Sequence, residues 1–181
     1  IIRGNQVPEE FTGIVFDIGR GQYDHHQKDS RIRENGIPYA AFGLLWETLG
    51  KEILGEELAK TFDEDFVQPL DNNDNTGEKN ELASLIGNFN PGWDSRENQD
   101  EAFFQAVSVA GMILENKFER YRGNERADRR AEEILKSNKE AEESRILILP
   151  EFIPCQRRLS ETDIAFVVFP SNRGGYCIQP Q

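Results

Sequence analysis

Both histidines of this chain stand side by side, as His25 and His26, directly behind Asp24 in the run Tyr23-Asp24-His25-His26-Gln27. Just upstream, Thr12-Gly13-Ile14-Val15-Phe16 has the make-up of a buried strand, running into Asp17 and a turn at Gly19-Arg20-Gly21. A fold built on this order must bring a strand-borne carboxylate and an Asp-His-His loop to the same end of a sheet. Carboxylate and neutral imidazole together suit manganese, magnesium or iron, whereas a structural zinc site favours cysteine. Asp17 and His25 are therefore candidates to share a metal. The competing reading is an exposed His-His pair in a hairpin turn, which would bind nothing tightly.

Composition narrows the classes. With 181 residues, 37% of them hydrophobic and 12 of them Phe, the chain can bury one good-sized core. No apolar run approaches the length that spans a bilayer, and no membrane association is expected. Ile1-Ile2-Arg3-Gly4 lacks the pattern of a secretory signal. From its opening on apolar residues without a Met, the chain is expected to be an internal fragment of a longer protein, cut inside a strand. Cys155 and Cys177 have no CxxC spacing, which excludes a zinc ribbon or dithiol redox motif and favours reduced thiols in a cytoplasmic protein.

The net charge of -12 argues against a broad basic face for nucleic acid. It does not argue against a nucleic-acid enzyme, because a metal centre supplies its own local positive charge. Lys28, Arg31 and Arg33 follow the His pair, where they form either a phosphate-facing cluster or a solvated one. Arg120, Arg122, Arg126, Arg129 and Arg130 alternate with Glu119, Glu125, Asp128, Glu132 and Glu133, the pattern of a salt-bridged helix face.

From Pro38 onward the period becomes helical. Phe42, Leu45, Trp46, Leu49 and Ile53 form one stripe, and Phe62, Phe66 and Leu70 a second, with Pro69 distorting the last turn of that helix. The second helix runs into Asp71-Asn72-Asn73-Asp74-Asn75-Thr76-Gly77, a cluster of turn formers and oxygen ligands. Asp71 and Asp74 can point the same way if the helix persists that far. A calcium loop of the EF-hand kind is excluded by Leu82, which stands where the bidentate Glu belongs. Asp100 is placed to cap a long helix with Phe103, Val107, Ala110, Leu114, Phe118 and Tyr121 on one face. That helix is expected to break at Gly123, with a second helical segment over Asn124–Glu143.

Beyond Ser144 the character is β. Arg145–Leu149 and Ile164–Phe169 read as strands, and Ser171-Asn172-Arg173-Gly174 as a turn leading to Gly175–Ile178 as a hairpin partner. The expected architecture is α/β, with a mostly parallel sheet flanked by helices, a helix-rich middle and the start of a β-containing C-terminal part. Its expected division is a metal-site domain over 1–122 and a helical connection with a partial α+β element over 123–181.

With these segments in hand, the chain resembles the DHH phosphoesterase superfamily, and within it the Myg (melanocyte proliferating gene) family of metal-dependent hydrolases and 3′–5′ RNA exonucleases. The segments that carry the resemblance are Val15–Gly19, Tyr23–Gln27, Ala40–Trp46 and Phe66–Gly77. The resemblance implies that Asp17 bridges two metal ions, that His25 ligates one of them, and that His26 contacts the substrate phosphate. It implies that Asp24 orients the histidines, and that Asp71 or Asp74 supplies a further ligand; sequence does not rank the two. Lys28 or Arg31 would help His26 neutralise charge on the phosphoryl oxygens. The family's N-terminal His-x-Asp element and its C-terminal glycine-rich element have no counterpart here, so the chain offers one complete metal site and half of another.

The function the resemblance implies is that of a manganese-dependent phosphodiesterase, a 3′–5′ exonuclease acting on RNA, with magnesium as the alternative cation. The two ions would lie roughly 3.5–4 Å apart and clamp the attacking and leaving oxygens. A second reading keeps the site and changes the substrate to a small phosphate compound such as pyrophosphate or a dinucleotide. A third is a non-catalytic acidic binding module that retains the His pair as a structural remnant. A homo-oligomer is compatible with all three.

Overall fold

The computed structural model describes the backbone of residues 1–181 and the side chains of all but Lys139 and Glu142. In chain order the elements are α1 (Ala41–Leu54), α2 (Glu56–Phe62), a π-helical turn (Asp63–Val67), α3 (Gln68–Thr76), α4 (Glu81–Gly87), α5 (Gln99–Ser137), α6 (Lys139–Ser144), β1 (Ile146–Ile148), α7 (Gln156–Leu159), β2 (Phe166–Pro170) and β3 (Tyr176–Pro180). The architecture is mixed α/β, as the sequence indicates. The chain forms two compact units, Ile1–Phe118 and Glu119–Gln181, and the division falls within α5.

The core of the first unit is aromatic. Phe62 and Val67 are fully buried, with Trp46, Leu44 and Phe66 nearly so. Rings stack and tilt around Phe62: Trp46 lies 4.7 Å away between centroids, Phe66 5.0 Å and Phe118 5.1 Å. Trp46 also keeps its indole N–H satisfied, donating to the Ala59 carbonyl at 3.0 Å. Each such side chain contributes about 1.5–3 kcal/mol through burial, so α1, α2 and the π turn are held as one block.

Proline shapes the path from the π turn into α3. Pro69 brings no N–H and its ring would crowd the carbonyl four residues back in a regular helix, and the π turn over Asp63–Val67 ends two positions before it. The distortion thus precedes Pro69, and the helix resumes as α3. Asp71–Thr76, expected as a turn, is helical up to Gly77, whose φ of +74° ends the helix while its N–H donates to the Asn73 carbonyl. The polar side chains there find local partners that are compatible with a helix: Asn75 donates to the Asp71 carbonyl and Thr76 to that of Asn72.

Three further expectations change. Thr12–Phe16 is not a buried strand: its one bridge is Phe16 with Tyr23, and Ile14 and Phe16 are 57% and 40% exposed. A strand is held by its ladder, and among the described residues this segment has only that one rung. Asn98, not Asp100, caps α5, its Oδ1 accepting from the Asp100 N–H at 3.0 Å. Gly123 leaves α5 unbroken, since one glycine costs a long helix only about 1 kcal/mol.

In the second unit a three-stranded mixed sheet has the order β1-β2-β3. β1 pairs parallel to β2, with Leu147 opposite Val167, and β2 pairs antiparallel to β3, with Val168 opposite Ile178. The hairpin turn is made by Gly174 and Gly175, both at positive φ. Leu147, Leu149, Leu159 and Val167 pack with Ala127, Ala131 and Ala141 in one core, while Ile148, Tyr176 and Ile178 face outward. Cys155 and Cys177 are free thiols. Among the described residues no helix is long and apolar enough to cross a membrane.

Candidate metal centre

Asp24 builds the loop that carries the site. Its Oδ2 accepts from the Arg20 N–H at 2.7 Å, and its Oδ1 accepts from the His26 N–H at 3.0 Å and from His26 Nδ1 at 2.8 Å. The side chain is 4% exposed. The His26 backbone N–H, helped by the Arg20 N–H and the His26 ring against the cost of burial, draws the Asp24 carboxyl down to about 2. In return the Asp24 hydrogen bond raises the His26 pKa above its ordinary value. His26 is thereby held with Nδ1 committed and its ring 61% exposed.

The same loop sets Asp17, whose side chain stays 56% exposed, beside His25. Asp17 has φ of +62°, a left-handed conformation that costs a non-glycine residue roughly 1–2 kcal/mol, and its N–H donates to the Tyr23 carbonyl at 2.9 Å. Its carboxylate meets His25, whose side chain is only 7% exposed. His25 Nε2 lies 3.2 Å from Asp17 Oδ1 and 3.2 Å from Asp74 Oδ2. Yet this buried nitrogen forms a hydrogen bond with neither. Its other ring nitrogen, Nδ1, is 3.2 Å from Asn75 Oδ1.

Two carboxylate oxygens converging on an imidazole nitrogen without hydrogen-bonding to it are poorly arranged as bare groups, because lone pairs and negative charge face one another. A divalent cation between them removes that conflict. Asp17, His25 and His26 also offer ligand atoms that all lie within 4.8 Å of one another. A donor set of carboxylates and imidazole, without sulfur, could hold manganese, magnesium or iron. Asp74 could join that group through its oxygen 3.2 Å from His25 Nε2, while the Nδ1 of His26 is engaged by Asp24 and its ring is exposed.

The two aspartates of α3 part company. Asp74 reaches His25, whereas Asp71 is fully buried, its Oδ1 accepting from the Gly43 N–H at 3.0 Å and its Oδ2 from Arg33 Nη2 at 2.8 Å. Burial pushes the Asp71 carboxyl up, against the opposing pull of Arg33 and of the Gly43 and Ala40 N–H groups. Arg31 is turned to a different task, as a bidentate pair with Glu47 at 2.6 and 2.7 Å. Lys28 is exposed beyond the His pair. Arg33, grouped by sequence with these basic residues, is a buried structural cation over the Tyr39 ring at 3.9 Å, also paired with Asp63. Neither its role nor the contact made by Asn75 had a signal in residue spacing.

Comparison with known proteins bears on what this site belongs to. MYG1 protein C27H6.8 of Caenorhabditis elegans is 27% identical over 130 residues, a stretch covering 55% of this chain and 38% of that protein. The chain thus spans well under half the length of the curated relative it matches. No solved structure gives a significant match. The family model MYG1_exonuc, described as an uncharacterised protein family (UPF0160), matches residues 12–180, a span that holds Asp17, the His pair and all of α3. On that match the chain belongs to the MYG1_exonuc family.

Proposed function

We propose that this chain carries the metal site of a phosphodiesterase of the DHH phosphoesterase type, a manganese-dependent 3′–5′ exonuclease acting on RNA. The observation that carries the reading is His25 Nε2, buried, without a hydrogen bond, and 3.2 Å from a carboxylate oxygen of Asp17 and of Asp74. Asp17, His25 and Asp74 would hold the cation. When bound, it supplies Lewis acidity for attack on a phosphodiester. Asp24 fixes the His26 ring through Nδ1, so that Nε2 is the atom free to donate toward a phosphoryl oxygen, and the raised pKa keeps that donor protonated to higher pH. Lys28, exposed on the same loop, adds positive charge for an anionic substrate.

Calorimetric titration of the chain with manganese, beside its His25→Ala variant, tests the metal; incubation with an end-labelled RNA oligomer tests the reaction. Expected are binding that the variant loses, and manganese-dependent shortening of the RNA from its 3′ end. Absence of manganese binding by the unaltered chain would sink the proposal. Turnover of pyrophosphate or a dinucleotide with little salt dependence, and none of RNA, would move the substrate to a small phosphate compound.

A further inference from the structure

Beyond supplying the ligands themselves, the fold aims one of them. In an imidazole, one nitrogen carries the proton and the other the lone pair, and which is which depends on the hydrogen bond made at the far side of the ring. For His25 that far side is Nδ1, 3.2 Å from Asn75 Oδ1. The Asn75 amide is itself oriented, because its Nδ2 donates to the Asp71 carbonyl at 2.8 Å. Turning the amide over would set Oδ1 against that carbonyl oxygen and Nδ2 against His25 Nδ1, replacing an attractive contact with a repulsive one at the carbonyl. Asn75 therefore presents an acceptor to His25, and an acceptor selects the tautomer with hydrogen on Nδ1.

We infer that Asn75 is a positioning residue that locks His25 as the Nδ1–H tautomer and so points the Nε2 lone pair between Asp17 and Asp74. The lock begins at the α3 backbone, where the Asp71 carbonyl orients Asn75, and ends at the buried nitrogen that the carboxylates face. Helical spacing makes this compact: Asp71 and Asn75 are i and i+4 on one face, while Asp74, one residue before Asn75, reaches the opposite nitrogen of the same ring. α3 thus faces His25 at both nitrogens, with Asp74 beside Nε2 and Asn75 beside Nδ1. The inference rests on the metal reading for its purpose but not for its test, since Asn75 offers its acceptor to Nδ1 with or without a cation, against the pull of the two carboxylates for a proton on Nε2.

The experiment is long-range proton–nitrogen correlation NMR on the metal-free chain with labelled histidine, at about pH 8, where imidazole is ordinarily neutral. Only two rings contribute, and loss of one signal set in His26→Gln assigns them. His25 is expected to show a pyrrole-like Nδ1 and a pyridine-like Nε2. In Asn75→Ala the two nitrogens should move toward averaged shifts as the tautomers mix, and manganese affinity should fall about 10–100-fold. Asn75→Asp, which keeps an acceptor at the same place, should retain the Nδ1–H signature. Asn73→Ala, on the same helix and bonded instead to the Glu78 carbonyl, should change neither the tautomer nor the affinity. A pyridine-like Nδ1 in the unaltered chain would overturn the inference without recourse to any variant. So would an unchanged tautomer in a folded Asn75→Ala chain. If the unaltered chain binds no manganese, the metal reading fails by itself, and the NMR signature still decides the role of Asn75.

Discussion

Asp71 Oδ2 and Arg33 Nη2 lie 2.8 Å apart, in a pair whose side chains are 0% and 6% exposed. The ion pair ties the segment after the His loop to α3, and α3 in turn carries Asp74 and Asn75 to His25. Asp71 therefore acts on the fold, through its contacts with Arg33 and the Gly43 N–H.

That division of labour separates the two α3 aspartates by experiment. Asp71→Ala leaves the buried guanidinium with Asp63 as its carboxylate partner and should lower stability by about 3 kcal/mol, the usual cost of breaking a buried pair. Manganese affinity of the folded fraction should change little. Asp74→Asn should do the reverse: stability in chelator within about 0.5 kcal/mol, and manganese affinity reduced at least about 10-fold. Urea unfolding beside calorimetric titration reads both, and exchanged outcomes would make Asp71 the ligand.

Gly43 should resist the smallest enlargement. A Cβ built there would come within 1.8 Å of Asp71 Oδ2 and 2.5 Å of Arg33 Nη2. Alanine ordinarily improves a helix interior over glycine by about 1 kcal/mol, but here the added methyl collides with a buried ion pair. Overpacking of this kind costs about 1–3 kcal/mol, so Gly43→Ala should lower the melting temperature. A rise would show that the Arg33–Asp71 pair can shift freely.

The Asp24–His26 contact should contribute to stability within a defined pH window. Asp24 titrates at about 2 in the folded chain against 3.8 ordinarily, so its contribution is full above 3.8 and is lost as pH falls toward 2. His26 is raised above 6.5, so its contribution is full below 6.5 and is lost as pH rises through the raised value. Both operate between those limits. At pH 5 Asp24→Asn should be less stable than the unaltered chain by about 2 kcal/mol, in keeping with hydrogen bonds to a charged acceptor. Unfolding curves at several pH values should show the gap closing toward pH 2 and narrowing in alkaline solution.

Bound cation should stabilise the fold by mass action. At a manganese concentration about 100 times its dissociation constant the gain is about 2.7 kcal/mol, and chelator should remove it. Thermal unfolding with and without chelator measures it directly. His25→Ala should show no manganese-dependent shift, and a full shift in that variant would place the cation elsewhere.

Much of the site was legible because it is local. Asp17, Asp24, His25 and His26 fall within ten residues, and a set of that chemistry could hold a hard or borderline cation wherever the segment lies. The C-terminal strands and hairpin were equally readable, since β-branched runs separated by a glycine turn leave few other pairings. Less legible was the Thr12–Phe16 segment, because apolar composition describes what a strand needs and not whether a partner strand lies beside it. The Gly123 break failed for a related reason: local propensity costs about 1 kcal/mol, which a long helix absorbs.

By itself, then, the sequence determined that Asp17, Asp24 and the His pair lie together in one loop region, and the mixed α/β character. Tertiary structure alone gave Asp71 and Asp74 different surroundings. Two residues three apart on a helix differ by only about 60° around its axis, so periodicity gives them one face. The packing of α3 against Arg33 and Gly43 buries one and leaves the other beside His25. Packing likewise turned Arg33 into a structural cation and Asn75 into a neighbour of the His25 ring, fifty residues away along the chain. Such pairings are set by the packing of whole elements, which no local pattern records.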